Sequence, residues 1–306
     1  MRFSVLASGS RGNMALVRTD GPGLLIDLGL GPKMIMSRLE ATGASGYPIS
    51  AALITHTHAD HVDEGALRWL FSQSIPLYCH GEHGKKLRNM EGFQQLEQVG
   101  LVRHYQEDRP WLAPNGMQIE SIPLSHDDHP TFGFRIEAPG RARMRKVRSL
   151  GYVADTGTWT DQTVEALRDI DVLGVEFNHD LGLQRNSTRP AFLISRILGK
   201  RGHLSNDQGS DLIEAVVKRS SKRELKAVVL LHLSQDCNHP ELARSAAAAA
   251  LRRSGQKANV LVALQETPVD FSATVSIPRV KRADSQARSM RHAGDVREGR
   301  PWQTFF

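Results

Sequence analysis

Cysteine and long apolar segments are both scarce in this chain. Its two cysteines, Cys79 and Cys237, are too few for a disulfide framework, which indicates a reducing compartment. No apolar run approaches the roughly 20 residues that a membrane-spanning helix needs, so no membrane partner is expected. The apolar stretch after Met1 is too short for a secretory signal. These absences predict a cytoplasmic protein.

Length and charge leave room for a large core and for an anionic partner. The chain has 306 residues, 40% of them hydrophobic, and a formal net charge of +6. Seven basic and three acidic residues after Pro278 give that end a net charge of +4, and a second basic run spans Arg141–Arg148. Such charge attracts polyanions such as nucleic acid. It also keeps a protein soluble, and both interpretations stay open.

Hydrophobic patterning divides the chain unevenly. Residues 1–278 contain regular apolar segments separated by turn residues, which predicts a single folded domain. Residues 279–306 lack such periodicity and are predicted to be a basic, disordered tail.

Three histidines and an aspartate follow one short apolar run. The segment Leu53–His61 has the sequence LITHTHADH. If the apolar run is a strand, His56 and His58 lie two apart at its end and project to the same side. Asp60 and His61 open the next, amphipathic stretch, where a helix start would direct them to a second point. Since imidazole and carboxylate groups are ligands for zinc and similar divalent metals, this segment can supply ligands to two neighbouring ions.

Strands dominate the first half of the chain, and strands alternate with helices in the second. This pattern predicts two sheets with helices outside them, an α/β fold. The predicted strands are Phe3–Leu6, Met14–Arg18, Leu24–Asp27, Ala51–Thr55, Ile75–Cys79, Met117–Pro123, Thr131–Glu137, Ser149–Ala154, Val172–Phe177, Ala227–Leu233 and Val260–Leu264. One helix is predicted to follow Pro32. The other predicted helices are Val62–Phe71, Arg189–Leu198, Asn206–Lys218 and Pro240–Arg253.

Single ligand-type residues stand at three other strand ends. His126, Asp155 and His232 each follow a predicted strand. A lone histidine is usually only a hydrogen-bonded residue, but their common placement favours a shared site.

The chain resembles the metallo-β-lactamase superfamily. The resemblance rests on the pattern H-x-H-x-D-H followed, in order, by the three single residues above, and it covers roughly Met1 to Leu264. Three further segments resemble the YycJ/WalJ-type branch, whose members are described as DNA exonucleases. They are LASGSRGN at Leu6–Asn13, EFNHD at Glu176–Asp180 and GHLSN at Gly202–Asn206.

This resemblance implies a four-layer αβ/βα sandwich that holds two divalent metal ions, zinc or manganese. It also implies a ligand set, with Asp27 orienting ligands from behind rather than binding metal. The first ion would be bound by His56, His58 and His126, the second by Asp60, His61 and His232, and both by a bridging Asp155.

Two residues bear on the reaction. The position of Asp155 holds cysteine in several lactam-hydrolysing relatives, whereas a carboxylate can span two ions and suits in-line displacement at phosphorus. Thioester hydrolysis of the glyoxalase II kind shares that metal core. His203 resembles the non-ligand histidine of phosphodiesterase branches, including transfer-RNA 3′-processing enzymes, where it protonates the leaving oxygen. Capping a helix is its alternative role.

The resemblance therefore implies a dinuclear phosphodiesterase, most specifically a DNA exonuclease, in which a metal-bridging hydroxide attacks phosphorus. His203 and Asp60 are the predicted catalytic residues, and nucleic acid is the predicted partner. Two alternatives stay open: a hydrolase of small phosphodiesters or thioesters, and a non-catalytic metal-binding regulator.

Further residues are predicted to contact substrate or to support the ligands. Asn178 and His179 are expected near the site, the latter with Glu176 and Asp180 as possible partners. Ser10 and Asn13 belong to a glycine-containing loop whose backbone N–H groups could bind phosphate. An ordinary turn between strands is the equal alternative for that loop.

Overall fold

The strands of the described residues form two seven-stranded sheets. The computed structural model describes residues 1–107, 109–128, 130–139, 148–221 and 225–272. The predicted tail at 279–306 and the basic run Arg141–Arg148, except for Arg148 itself, lie outside these ranges. The domain boundary at residue 278 and the contribution of that charge to binding therefore stay predictions.

Each sheet is antiparallel on one side and parallel on the other. The first contains, from edge to edge, β14 (Val269–Ser272), β1 (Arg2–Ala7), β2 (Met14–Arg18), β3 (Gly23–Ile26), β4 (Ile49–Leu53), β5 (Leu77–His80) and β6 (Val102–Tyr105). The second contains β13 (Asn259–Val262), β12 (Ala227–Leu231), β11 (Val172–Glu176), β10 (Ser149–Val153), β9 (Thr131–Glu137), β8 (Gln118–Leu124) and β7 (Trp111–Leu112).

Helices cover the outer face of each sheet, because every central strand is apolar on both sides. In β2, Ala15 and Val17 pack into the core between the sheets, whereas Met14 and Leu16 pack under helices. The first sheet is covered by α1 (Pro32–Ala41), α2 (Glu64–Ser72), α3 (Gly81–Leu87) and α4 (Glu91–Gln98). The second is covered by α5 (Asp161–Ala166), α8 (Asn206–Arg219) and α9 (Pro240–Arg253). The predicted αβ/βα sandwich is thereby confirmed.

Two further helices, α6 (Leu181–Arg185) and α7 (Ala191–Leu198), connect β11 to α8. No helix among the described residues is long and apolar enough to cross a membrane.

The structure corrects the predicted surroundings of the histidine motif. Strand β4 ends at Leu53 rather than Thr55, because the Thr55 backbone N–H donates to the Asp27 carboxylate instead of to a neighbouring strand, at 2.8 Å. Helix α2 begins at Glu64 rather than at residue 62, because the side chain of Asp63 caps it. The motif therefore lies in a loop, and neither strand alternation nor a helix start sets the directions of its side chains.

Candidate metal centre

The ends of strands from both sheets bring the predicted ligands together. Carboxyl ends of parallel strands meet at one edge of a sheet. In the first sheet, Asp27 follows β3 and the histidine motif follows β4. In the second, Asp155 and His232 follow the parallel strands β10 and β12, and His126 follows β8, which runs in the same direction.

Three imidazoles form the first group, which we call the histidine cluster: His56, His58 and His126. His56 Nε2 lies 3.1 Å from His58 Nδ1, which in turn lies 3.4 Å from His126 Nε2. His56 and His126 are buried. The ligand atoms of all three lie within 4.8 Å of one another, so they could hold one metal ion.

A carboxylate and two imidazoles form the second group, which we call the mixed cluster: Asp60, His61 and His232. Asp60 Oδ2 lies 3.7 Å from His61 Nε2 and 3.8 Å from His232 Nε2. Their ligand atoms also lie within 4.8 Å of one another. The structure thus assembles the two ligand sets that the resemblance implies.

Asp155 lies against both clusters. Its Oδ2 is 2.9 Å from His61 Nε2, and its Oδ1 is 2.5 Å from His232 Nδ1. It also forms a candidate metal group with His56 and His61. Among the described residues, Asp155 Oδ2 and His232 Nδ1 are buried and have no partner at a hydrogen-bonding angle. Because buried polar atoms are normally paired, these two atoms fit the binding of a cation.

Three site residues adopt a left-handed backbone. Asp27, Asp155 and His232 have φ values of 61°, 56° and 53°. A residue other than glycine rarely has this conformation, which costs roughly 1–3 kcal/mol. Each left-handed turn lies at a strand end, and the three side chains contact one another's neighbours in the clusters, so strain is concentrated where the predicted ligands converge.

In each of the three motif histidines, the second ring nitrogen contacts an oxygen atom outside the two clusters. His61 Nδ1 donates to Asp27 Oδ2 at 2.9 Å, and the Thr55 hydroxyl donates to Asp27 Oδ1 at 2.9 Å. The oxygen of that hydroxyl accepts from His56 Nδ1 at 3.0 Å. His58 Nε2 lies 3.4 Å from Asp127 Oδ1. Such contacts fix the ring orientation of metal-binding histidines, as predicted for Asp27.

The fourth imidazole, His126, is fixed by the main chain. Its Nδ1 donates to the Gly202 carbonyl at 3.0 Å. Close backbone approach also shapes the other side of the site, because a Cβ on Gly29 would lie 1.8 Å from the Asp60 carbonyl oxygen. Any side chain at that glycine would displace the Asp60 loop.

Protonation differs between the clusters. Burial lowers the pKa of His56 and of His126 below the usual histidine range. Burial also opposes the charged form of His232, but the Asp155 carboxylate outweighs it and raises that pKa to about 9. The same balance, with Asp27 and Asp155 prevailing over burial, raises the pKa of His61 well above its usual value.

His203 lies beside the clusters and is held by a buried carboxylate. Its Nδ1 donates to Glu176 Oε1 at 2.7 Å and lies 3.5 Å from Asp155 Oδ1. The other carboxylate oxygen of Glu176 accepts from the backbone N–H groups of Thr156 and Leu204, at 2.9 and 3.2 Å. The helix-capping alternative for His203 is wrong, because Ser205 caps α8.

Glu176 and His203 also form a candidate metal group with Asp155 and His232. However, both oxygens of the Glu176 carboxylate already accept hydrogen bonds. That pairing favours a positioning role for Glu176 over direct metal binding.

The Ser8–Asn13 loop contacts the mixed cluster through Asn13. The backbone N–H groups of Gly9 and Arg11 donate to the side-chain oxygens of Asn13 and Gln265, each at 2.9 Å. These internal partners favour the turn alternative over a phosphate cradle. Asn13 Nδ2 contacts Asp60 Oδ2 at 3.2 Å and His61 Nε2 at 3.0 Å, so it contacts the mixed cluster. Ser10 lines the cleft described below.

Asn178 and His179 differ in their hydrogen bonding in the structure. Asn178 Nδ2 donates to the His232 carbonyl at 2.9 Å and fixes the left-handed turn there. His179 is fully buried, and neither of its ring nitrogens has a hydrogen-bonding partner among the described residues. His179 therefore makes no hydrogen bond to Glu176 or Asp180, its possible partners from the sequence. Burial lowers its pKa to about 4, so it is neutral at physiological pH.

A cleft of about 260 Å³ opens onto the centre. Four predicted residues line it: His203, His232, Asn178 and Ser10. The rest of its wall consists of residues that were not predicted as site residues, most of them in or near α7: Asp127, Arg189, Leu193, Arg196, Ile197, Gly202 and Ser234. A sequence signal for this wall exists, because residues 181–206 contain five basic and no acidic residues.

Comparisons with known proteins agree with this geometry. A family model described as "Beta-lactamase superfamily domain" matches residues 24–233. The chain is 29% identical over 260 residues to the Exodeoxyribonuclease YycJ of Bacillus anthracis, covering 83% of this chain and 90% of that one. It is 30% identical over 242 residues to the Exodeoxyribonuclease WalJ of Streptococcus pneumoniae serotype 2, strain D39, covering 79% and 85%.

A solved structure supports the fold alone. The crystal structure of a diphosphatase from the PhnP family superposes with a TM-score of 0.57 at 18% sequence identity, covering 89% of this chain and 98% of that one.

Proposed function

Because the chain belongs to the metallo-β-lactamase superfamily and is a metal-dependent hydrolase of the nuclease and phosphodiesterase kind, we propose that it is a DNA exonuclease. The observation that carries the proposal is His203, which is held by Glu176 beside Asp155 and lines the cleft. The relatives that match most of the chain carry the name exodeoxyribonuclease.

Two divalent ions, zinc or manganese, are part of this proposal. The histidine cluster would hold one ion and the mixed cluster the other, with Asp155 shared; the unpaired buried atoms of Asp155 and His232 support this assignment. Bound ions of this kind lower the pKa of water and stabilise charge that develops on phosphoryl oxygens. Asp60 is proposed to act both as a ligand and in catalysis.

His203 would move the proton. Its Nδ1 is fixed by Glu176, which leaves Nε2 for the substrate. As the bond between phosphorus and the leaving oxygen breaks, Nε2–H would donate its proton to that oxygen. Asn178 and Asn13 would keep His232 and Asp60 in place through the contacts described above.

The test is a nuclease assay on end-labelled single- and double-stranded DNA, with RNA of the same sequence, across several metals. Release of nucleotides from DNA ends, abolished by Asp155→Ala, is the expected result. DNA that stays intact in every metal would contradict the proposal. Preferential cleavage of RNA would change the substrate assignment.

The His203→Ala variant tests the proton donor. We expect kcat to fall by about 10²- to 10⁴-fold while the metal content per chain, measured by elemental analysis, stays at the wild-type value. Loss of metal in this variant would assign His203 to the ligands instead. Glu176→Gln should give a smaller loss and shift the pH profile.

A small phosphodiester is the second candidate substrate, because the cleft is small, at about 260 Å³. Salt dependence separates the two candidates. Binding of a DNA strand should weaken steeply as salt rises, whereas hydrolysis of a small ester should change little.

A further inference from the structure

The first turn of α7 exposes a large aromatic side chain to solvent. Phe192 is 74% exposed, more than any other large hydrophobic side chain that the structure describes. Single exposed apolar residues are common on proteins. This one is distinguished by its position, because the residues that follow it in α7 form a wall of the catalytic cleft.

Helical spacing places Phe192 next to the basic wall. Residues four apart in a helix are neighbours on its surface, so Phe192 adjoins Arg196. Arg196 lines the cleft and pairs with Asp127, which also lines it. Leu193 and Ile197 form the adjacent stripe and also line the cleft. One helix therefore presents, side by side, an aromatic face, a cation and an apolar wall.

The charge around this aromatic residue suits a polyanion. Arg189, two residues before α7, lines the same cleft and pairs with Asp236 at 2.9 Å, and Arg196, although paired with Asp127, keeps a side chain that is 58% exposed. The segment from residue 181 to residue 206 contains five basic residues and no acidic one. Cationic side chains interleaved with an exposed aromatic are the pattern that binds single-stranded nucleic acid, where bases stack on rings and phosphates contact arginines.

We infer that Phe192 is a base-stacking platform for a single-stranded nucleic-acid end. The cleft, at about 260 Å³, accommodates about one nucleotide, with its phosphate beside His203. The next base along the strand then stacks on Phe192, and Arg189 and Arg196 contact the flanking phosphates. This inference rests on the proposed nuclease function and names the form of the substrate that reaches the site.

The experiment compares two substrates that differ by one base. Each is a short single-stranded DNA with the same phosphates, and one carries an abasic position next to the terminal nucleotide. For the normal strand, Phe192→Ala should raise KM about tenfold or more, while kcat stays near the wild-type value. For the abasic strand, the wild type and the variant should have the same KM.

Matched variants identify the role of the ring. Phe192→Trp should keep the wild-type KM, whereas Phe192→Leu, which keeps apolar area without an aromatic face, should resemble the alanine variant. Leu112→Ala removes a side chain that is 68% exposed on β7 and should change nothing.

The outcomes separate this inference from the function on which it rests. A wild type that cleaves neither strand overturns both. A wild type that cleaves both strands, together with a Phe192→Ala variant of unchanged KM on the normal strand, overturns the stacking platform alone. An equal rise in KM on the abasic strand also overturns it, because the lost contact then does not involve a base.

Discussion

The histidine cluster and the mixed cluster both lie near Asp155, but they differ in charge. The histidine cluster consists of imidazoles, and burial lowers the pKa of two of them. The mixed cluster includes a carboxylate, and its histidines face Asp27 and Asp155, which raise their pKa values. The shifts therefore favour the neutral form of His56 and His126 in the first cluster and the charged form of His61 and His232 in the second.

This difference shows that one fold can set different protonation states at two neighbouring candidate metal sites. A neutral imidazole offers its lone pair to an ion directly, whereas a protonated one must first lose its proton. Asp155 Oδ2 and His232 Nδ1, which lie close to charged partners but lack a well-oriented hydrogen bond, belong to the second of these environments. We expect the proposed ion of the histidine cluster to bind with little proton release and that of the mixed cluster to displace protons.

The largest expected effect comes from the residue that the clusters share. Asp155→Asn keeps the shape of the side chain but removes its charge, so it should weaken both proposed metal sites and lower activity by about a thousandfold or more. Elemental analysis should show fewer ions per chain than in the wild type. A variant that keeps its metal and its activity would contradict the shared role of Asp155.

Sequence alone predicted the fold well where apolar runs were continuous. Strands β2 and β9 and helix α9 have the predicted boundaries. Elements without such runs were missed: β6 contains arginine and histidine, β7 has two residues, and α3 contains two glycines. Pairing with β1 rather than its own composition makes β14 a strand.

The site shows the same limit. The motif at residues 56–61 could be recognised because its ligands are contiguous. The contacts that hold these ligands join residues far apart in sequence, such as Asp27 with His61 or Glu176 with His203, and no local pattern indicates them. The sequence also could not tell that Asn178 hydrogen-bonds the His232 carbonyl while its neighbour His179 is buried without a hydrogen bond.

The pH dependence of metal binding should separate the clusters. In the metal-free protein, His232, with a pKa of about 9, is protonated at neutral pH. Metal affinity of the mixed cluster should therefore rise about tenfold per pH unit for each proton displaced, up to about pH 9. Calorimetric titration in buffers of different ionisation enthalpy measures these protons. Equal proton release at both sites would contradict the comparison.

The same pKa shift predicts how the metal-free protein responds to pH. Because the pKa of His232 is higher in the folded state than its ordinary value of 6.5, its contribution to stability is complete below about pH 6.5. That contribution is lost as pH rises through about 9. The melting temperature of protein treated with a chelator should fall over this range, and saturating metal should flatten the curve.

A pair of conservative variants should affect one cluster each. Asp27→Asn places an amide against His61 Nδ1, and it should lower metal affinity of the mixed cluster by roughly 10- to 100-fold. Asp127→Asn should affect the histidine cluster through His58, and by less, because that contact is 3.4 Å long and the Asp127 side chain is 26% exposed. Competition with a chromogenic chelator measures both affinities. A larger loss of metal affinity in Asp127→Asn than in Asp27→Asn would contradict the ranking of these contacts by distance and burial.

The smallest effect concerns the loop between two ligands of the histidine cluster. Asp128 accepts hydrogen bonds from the Thr57 backbone N–H at 2.6 Å and from its hydroxyl at 2.7 Å, and it pairs with Lys86 at 2.5 Å. Asp128→Ala should lower the unfolding free energy by about 1–3 kcal/mol and metal affinity a few-fold, since Thr57 lies between His56 and His58.

Lys86→Met is the matched control for that variant, because it removes the ion pair and leaves both Thr57 hydrogen bonds. Although burial opposes ionisation of Asp128, its bonds to Lys86 and Thr57 lower the pKa to about 2. The stabilisation should therefore be complete above about pH 4 and lost only as pH falls toward 2. If the control weakens metal binding as much as Asp128→Ala does, then the Lys86 charge, and not the two hydrogen bonds to Thr57, orders the segment from His56 to His58.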